Sequence, residues 1–312
     1  MQKQTLSLRD IAALANTSTA TVSRVLAGRA GVSAPLRDRV LAAAGQFQFT
    51  PNPSASALAR KRFAPTGFTH RAIAVALLAA QETTLARLWD ETYEGVLHAA
   101  HDQELGVSLC LVRREEIAGN PLPPALMRIP CDGILVNQIP DFPYAALARL
   151  APIVLLGGCP EPDSPFPQVA ADNDMGIAGL VAHLAALGHR RLAFLPSDLS
   201  TPSFARRAAA FETEMRKRAL HGVVAEPLGD HPERYAAAFA ARPRAERPTA
   251  LLVSSDGPAV DLLHALLAAG IRVPEEVSVT GFDGRTWGQS SVPPLTSWHV
   301  DWLELGRQGV RL

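Results

Sequence analysis

The sequence predicts an N-terminal all-α helix-turn-helix headpiece joined to an α/β body of two doubly wound parallel-sheet lobes. Three observations predict it. The first 50 residues place their apolar side chains at helical spacing. From residue 71, short continuous apolar runs alternate with amphipathic stretches, and the rhythm restarts after Asp172. Charge divides along the same line. Residues 1–62 hold nine Lys/Arg against Asp10 and Asp38, a net +7, and the 312-residue chain has 30 basic and 30 acidic residues, so the remainder carries −7. A neutral total thus hides a basic end joined to an acidic body, as expected where one end meets phosphates.

In the headpiece, expected over residues 1–50, Ser7 is placed to cap the first helix, and Asp10 lies three residues on to close a capping box. Ile11, Leu14 and Ala15 form an apolar stripe. Asn16 follows where the chain must turn, and asparagine tolerates a left-handed backbone. Ser18 caps a second helix whose Val22, Val25 and Leu26 face back. Thr19, Ala20, Thr21, Ser23 and Arg24 then face outward. Gly28 and Gly31 mark a loop before a third helix near Ser33, with Leu36, Val40, Leu41, Ala44 and Phe47 inward. Two short helices, the second presenting small polar groups and an arginine, suit the DNA major groove. A generic small helical bundle is the other reading of these residues.

Residues 51–62 read as a hinge. Pro51-Asn52-Pro53 breaks the chain, Asn52 can cap, and Pro53 then takes the first helical position. Residues 54–60 give about two turns, too short to hold alone; an ordinary linker is the alternative.

The body, 71–312, alternates strand-like runs at 73–78, 107–112, 133–136 and 153–156 with helices such as 85–103. After Asp172 come helix 176–187, strand 192–195, helix 204–218, strand 223–224, strand 249–254, helix 258–269 and strand 277–280. Continuous apolar runs of this length are strands buried on both faces, hence parallel sheets. Two successive sets imply two lobes, about 71–170 plus 299–312 and about 171–298, with a cleft between their strand ends.

Beyond the outer face of the second helix, Gly31-Val32-Ser33, Arg37-Asp38-Arg39-Val40, Phe49-Thr50-Pro51-Asn52 and Ala55-Ser56-Ala57-Leu58-Ala59 follow in an order and spacing that closely resemble the LacI/GalR family of bacterial transcription regulators. The body resembles that family's periplasmic-binding-protein-like effector domain through Asp132-Gly133-Ile134, Ala171-Asp172-Asn173, 187–194, 273–279, Gly281-Phe282-Asp283 and 293–297. The resemblance covers nearly the whole chain. It implies a repressor that binds a double-stranded DNA operator as a homodimer and answers to a small effector, a sugar or sugar derivative. Thr19, Ala20 and Arg24 would read bases, with Ser7, Ser18, Thr21, Ser23 and Asn52 beside them, and Leu58 would wedge into the minor groove from paired hinge helices. The chain departs from the family's usual residues at Asn16-Thr17, Ala27 and Ala55-Ser56; Arg60, Lys61 and Arg62 lie downstream of the last. The resemblance also implies a further helix and a crossing segment after Leu312, so the C-terminus reads as truncated.

By the same resemblance, Arg207, Ser255, Asp256, Asp283 and Trp302 point into the cleft as effector-binding residues. Carboxylates accept hydroxyl hydrogens, an arginine fork donates to ring oxygens, and an indole can stack on a sugar's apolar face. Surface Arg207, a capping Asp283 and a core Trp302 are the plainer readings. Gly157-Gly158 stand where some sugar-binding members have an acidic residue, and Trp89 and Trp287 add aromatic surface. His183, His189, His264 and His299 lack metal spacing and read as satisfied polar positions, His299 nearest the cleft.

No metal and no cofactor is expected. GxGxxG after the first strand, a P-loop, GxSxG and HExxH are all missing, which argues against an enzyme. Cys110, Cys131 and Cys159 read as thiols. With no signal peptide and no membrane-length apolar run, the expectation is a cytoplasmic protein. A sugar-binding protein without regulatory action and an α/β enzyme with a helical extension are the rivals.

Overall fold

The computed structural model describes residues 7–26, 31–46, 70–79, 90–113, 123–137, 144–159, 164–229 and 231–312. The chain divides into two compact units, Met1–His70 and Arg71–Leu312. Asn52, Leu58, the rest of the hinge, Phe47 and Trp89 fall outside the described residues, as does the side chain of Trp287.

In the first unit, helices α1 (Leu8–Leu14), α2 (Thr19–Leu26) and α3 (Ala34–Gln46) surround a small core of Ile11, Ala12, Ala15, Val22, Val25, Val40 and Ala43. Asp10 accepts from both the Ser7 N–H and the Ser7 hydroxyl at 2.7 Å, and these bonds hold its carboxyl below the usual range. Asn16 turns the chain at φ 47°, and Ser18 Oγ accepts from Thr21 N–H at 3.1 Å to cap α2. Two expected core residues are not core: Leu14 is 54 % exposed and Leu41 48 %. At 100° per residue, the buried arc of α1 is centred between Ile11 and Ala12, and Leu14 lies roughly 110° away from it. Leu41 is similarly turned off the Val40–Ala44 face.

The second unit holds two five-stranded sheets, each wholly parallel. The first comprises β1 (Ala72–Ala79), β2 (Gly106–Arg113), β3 (Gly133–Asn137), β4 (Ile153–Leu156) and β5 (Gln168–Val169), in the order β2-β1-β3-β4-β5. Its helices are α4 (Asp90–Asp102), α5 (Pro124–Met127) and α6 (Tyr144–Leu147). The chain then enters the second lobe through α7 (Asn173–Ala186). There β6 (Arg191–Leu195), β7 (His221–Val224), β8 (Ala250–Val253), β9 (Ser278–Asp283) and β10 (Thr296–His299) form a sheet in the order β10-β9-β8-β6-β7. Helices α8 (Pro202–Lys217), α9 (Pro232–Ala241), α10 (Asp256–Ala268) and the short α11 (Thr286–Gln289) accompany it. Both lobes repeat one winding, second-first-third-fourth-fifth, so each has its topological switch point beside its first strand.

The last helix, α12 (Trp302–Arg311), leaves the second sheet and packs on α4 of the first lobe. Glycines let the two helices touch. A Cβ on Gly95 would collide with the Leu303 carbonyl, and one on Gly306 with that of Thr92. Trp302, at the start of α12, packs against the cores of both lobes.

Candidate DNA-reading face and effector site

On α2, Val22 and Val25 are buried, while Thr19, Ala20, Ser23 and Arg24 are exposed together with Ser18 and Thr21 is half-buried. The outer face therefore presents the hydroxyls, a methyl and the arginine on one surface, with no apolar patch to shield them. Ser7 is exposed, its hydroxyl engaged with Asp10.

In the body, the strand ends of the second sheet gather a polar cluster. Arg207, on α8, is 4 % exposed. Its Nε donates to Asn173 Oδ1 at 2.8 Å, and its Nη1 donates to the Ser254 carbonyl and lies 3.6 Å from Asp283 Oδ1. Its guanidinium lies over the Phe282 ring, 3.6 Å from the centroid. Burial pulls this arginine below its ordinary range and Asp283 and Asp256 oppose the pull; a guanidinium stays charged regardless. Asp283 ends β9 at φ 116°, a conformation that L-residues with a Cβ adopt only where the surroundings over-determine it. Burial raises its carboxyl, with Arg207 and Arg285 opposing.

Asp256 opens α10 and is fully buried. It accepts from Arg285 N–H at 2.7 Å and from Ser297 Oγ at 2.5 Å. Burial outweighs these bonds and pushes it up to about 7. A Cβ at Gly281 would collide with Asp256 Oδ1, which is why a glycine precedes Phe282-Asp283. Ser255 is buried at the N-cap of α10, and its neighbour Ser254 bonds Ser197 through Oγ at 2.7 Å. Trp302 Nε1 donates to the Asp283 carbonyl at 2.8 Å.

The structure thus brings Arg207, Asp256 and Asp283 into one buried cluster and ties Trp302 to its edge. Four members were not singled out in the sequence: Asn173, Arg285, Ser297 and Glu91. Asn173 and Ser297 were legible only as parts of the Ala171-Asp172-Asn173 and 293–297 runs, and no local signal marks Arg285 or Glu91. Arg285 is 1 % exposed; its Nη1 lies 3.4 Å from Glu91 Oε2 on α4, and its guanidinium is 4.2 Å from the Trp302 ring centroid. One face of the indole is therefore occupied by arginine. His299 Nδ1 lies 3.4 Å from the Gly284 carbonyl beside the cluster. His189, half-buried, bridges Thr249 and Ser278 at 2.9 and 3.2 Å as a satisfied polar group. Cys110, Cys131 and Cys159 form no disulfide among the described residues. Among the described residues there is no His/Cys/Asp/Glu group that could hold a metal ion, and no helix long and apolar enough to cross a membrane.

A helix-turn-helix unit followed by two lobes of this winding defines a DNA-binding transcriptional regulator with a periplasmic-binding-protein-like domain. Residues 7–52 match the lacI family of bacterial regulatory proteins, and residues 181–312 match the periplasmic binding protein-like domain. The lactose operon repressor of Escherichia coli K12 is 26 % identical over 311 residues, covering 98 % of this chain and 83 % of that protein. The solved lac repressor dimer, bound to operator and the anti-inducer ONPF, superimposes with a TM-score of 0.80 at 24 % identity, over 99 % of this chain and 91 % of that one. The complex of the regulator CelR with cellobiose gives 0.64 at 24 % identity, over 98 % and 91 %. The chain thus carries a lacI-family DNA-binding domain ahead of a periplasmic-binding-protein-like domain. It is a transcriptional regulator, not an enzyme, and acts inside the cell, where its DNA lies.

Proposed function

We propose that this regulator is a repressor that holds a near-palindromic operator as a homodimer and changes its grip when a carbohydrate or carbohydrate derivative enters the space between the lobes. The observation that carries the ligand reading is the convergence of buried Arg207, Asp256 and Asp283 at the carboxyl ends of the second sheet, where open parallel sheets take ligands. Fixed carboxylates and an arginine fork suit hydroxyl-rich ligands. Ser255 at the N-cap and Trp302 at the edge line the same region. Two-fold symmetry supports the dimer, since one headpiece reads few base pairs and a palindrome offers two half-sites; the related lac repressor is a dimer on its operator.

On the DNA side, Thr19, Ala20 and Arg24 read base edges, and Ser7, Ser18, Thr21 and Ser23 position the helix on phosphates. Asn52 and Leu58 act from the hinge, Leu58 as a minor-groove wedge. The compartment is the cytoplasm. The test is a thermal-shift screen of the full chain against a sugar panel, followed by operator titration with each hit, since a ligand bound only by the native state raises its melting temperature. A panel with no hit, or hits that leave operator affinity unchanged, refutes the effector reading.

A further inference from the structure

Arg285 is out of place for an ordinary loop arginine. Arginine is rarely buried without a purpose-built setting, yet this one is 1 % exposed. It belongs to the second lobe, just after β9, and its backbone N–H is fixed by Asp256. Its side chain leaves that lobe. The guanidinium reaches Glu91 on α4 at 3.4 Å, across 194 residues of sequence, and lies on the ring of Trp302. Glu91 and Trp302 form one rigid wall, because α4 and α12 are interlocked at Gly95 and Gly306. Trp302 in turn holds the Asp283 carbonyl. The cation of the second lobe therefore sits between a carboxylate of the first and an indole packed against both, and its anchor is a carboxylate of the proposed ligand cluster.

We propose that Arg285 is a positioning residue: clamped by Glu91 and Trp302, it fixes the angle between the two lobes and so the spacing of the cleft walls. This rests on reading the interlobe space as the ligand cleft. The physical reason is that a planar guanidinium can pair with a carboxylate at its edge and stack on an aromatic face at once, and the guanidinium that does so here is itself buried. Moving the lobes apart would draw the buried cation away from the Glu91 carboxylate. Occupancy at Asp256 and Asp283 acts on the same short segment, 281–285, so the clamp and the ligand address one element.

The test uses the full chain with its three cysteines replaced by alanine and spin labels at two exposed positions, Gln103 in the first lobe and Ala269 in the second. Interlobe distances are measured by electron-electron resonance without ligand, so the outcome does not depend on what the cleft binds. The parent should give one narrow distribution. Arg285→Met and Glu91→Gln should shift or broaden it beyond replicate width, and Arg285→Lys, which keeps the charge but loses the planar stack, should fall between. Distributions for Arg285→Met and Glu91→Gln that superimpose on the parent overturn the proposal. Should Arg285→Met fail to fold, Glu91→Gln decides alone, since its side chain is 24 % exposed and removes only a charge.

Discussion

Asp256→Asn removes a buried carboxyl that the fold holds well above its ordinary range. Its ordinary value is 3.8 and burial lifts it to about 7. The folded state therefore binds this proton more tightly than the unfolded state. Stability from it is fully present below pH 3.8 and is lost as pH rises towards 7. A difference of about three pH units, at 1.36 kcal/mol each, sets the loss at about 4 kcal/mol at most above pH 7. Asparagine keeps the shape: its carbonyl oxygen can accept from the Arg285 N–H and its NH2 can donate to Ser297 Oγ, where the carboxylate accepted from both, so it should recover a good part of that. Urea unfolding at pH 5 and pH 8.5 measures it through the midpoint at constant slope. The parent should lose stability relative to Asp256→Asn between the two values. A difference between parent and variant that does not change with pH, or a parent that gains stability relative to the variant as pH rises, refutes the reasoning.

Arg24→Ala should weaken binding to a selected operator by about 1–3 kcal/mol if the arginine pairs with a guanine edge, while circular dichroism of the headpiece stays unchanged; fluorescence anisotropy measures it. Arg207→Ala should destabilise the body by about 3–5 kcal/mol, because it leaves Asp283 buried beside no cation of its own lobe's helix α8; the more telling variant for ligand response is Asp283→Asn, which should abolish effector-induced change but leave basal operator affinity. Ile11→Ala, at a fully buried headpiece position, should cost about 2–5 kcal/mol of headpiece stability and leave the body's own transition where it was in a calorimetric scan. Gly306→Ala should lower the body's melting temperature, since its methyl meets the Thr92 carbonyl; an unchanged transition would mean α4 and α12 are not locked as described.

What was legible in the sequence was whatever repeats locally. The cap at Ser7, the turn at Asn16 and the β/α rhythm are set by neighbours within a few residues, and they stand in the structure at nearly the expected places. Helix starts moved by two or three residues: α7 begins at Asn173 instead of Gly176, α8 at Pro202 instead of Phe204, and α10 at Asp256 instead of Pro258. Leu14 and Leu41 failed because periodicity shows that a stripe exists but not where its centre falls. The cluster around Arg207 was partly readable, since Asp256 and Asp283 each follow an apolar strand where side chains emerge at a sheet's carboxyl end. Glu91 and Arg285 were not readable. Each looks like a surface charge in its own segment, and only the crossing of α12 onto the first lobe brings them together with Trp302.

The central claim is that the cleft and the DNA-reading face are energetically linked. The direct measurement is operator affinity of the full chain, on a sequence selected from a random pool, with and without the carbohydrate that raises its melting temperature. The account predicts a change in operator affinity of roughly 5-fold or more, matched by an equal change in carbohydrate affinity when operator is present, because coupling between two sites is reciprocal. Equal operator affinity with the cleft empty and saturated would contradict it.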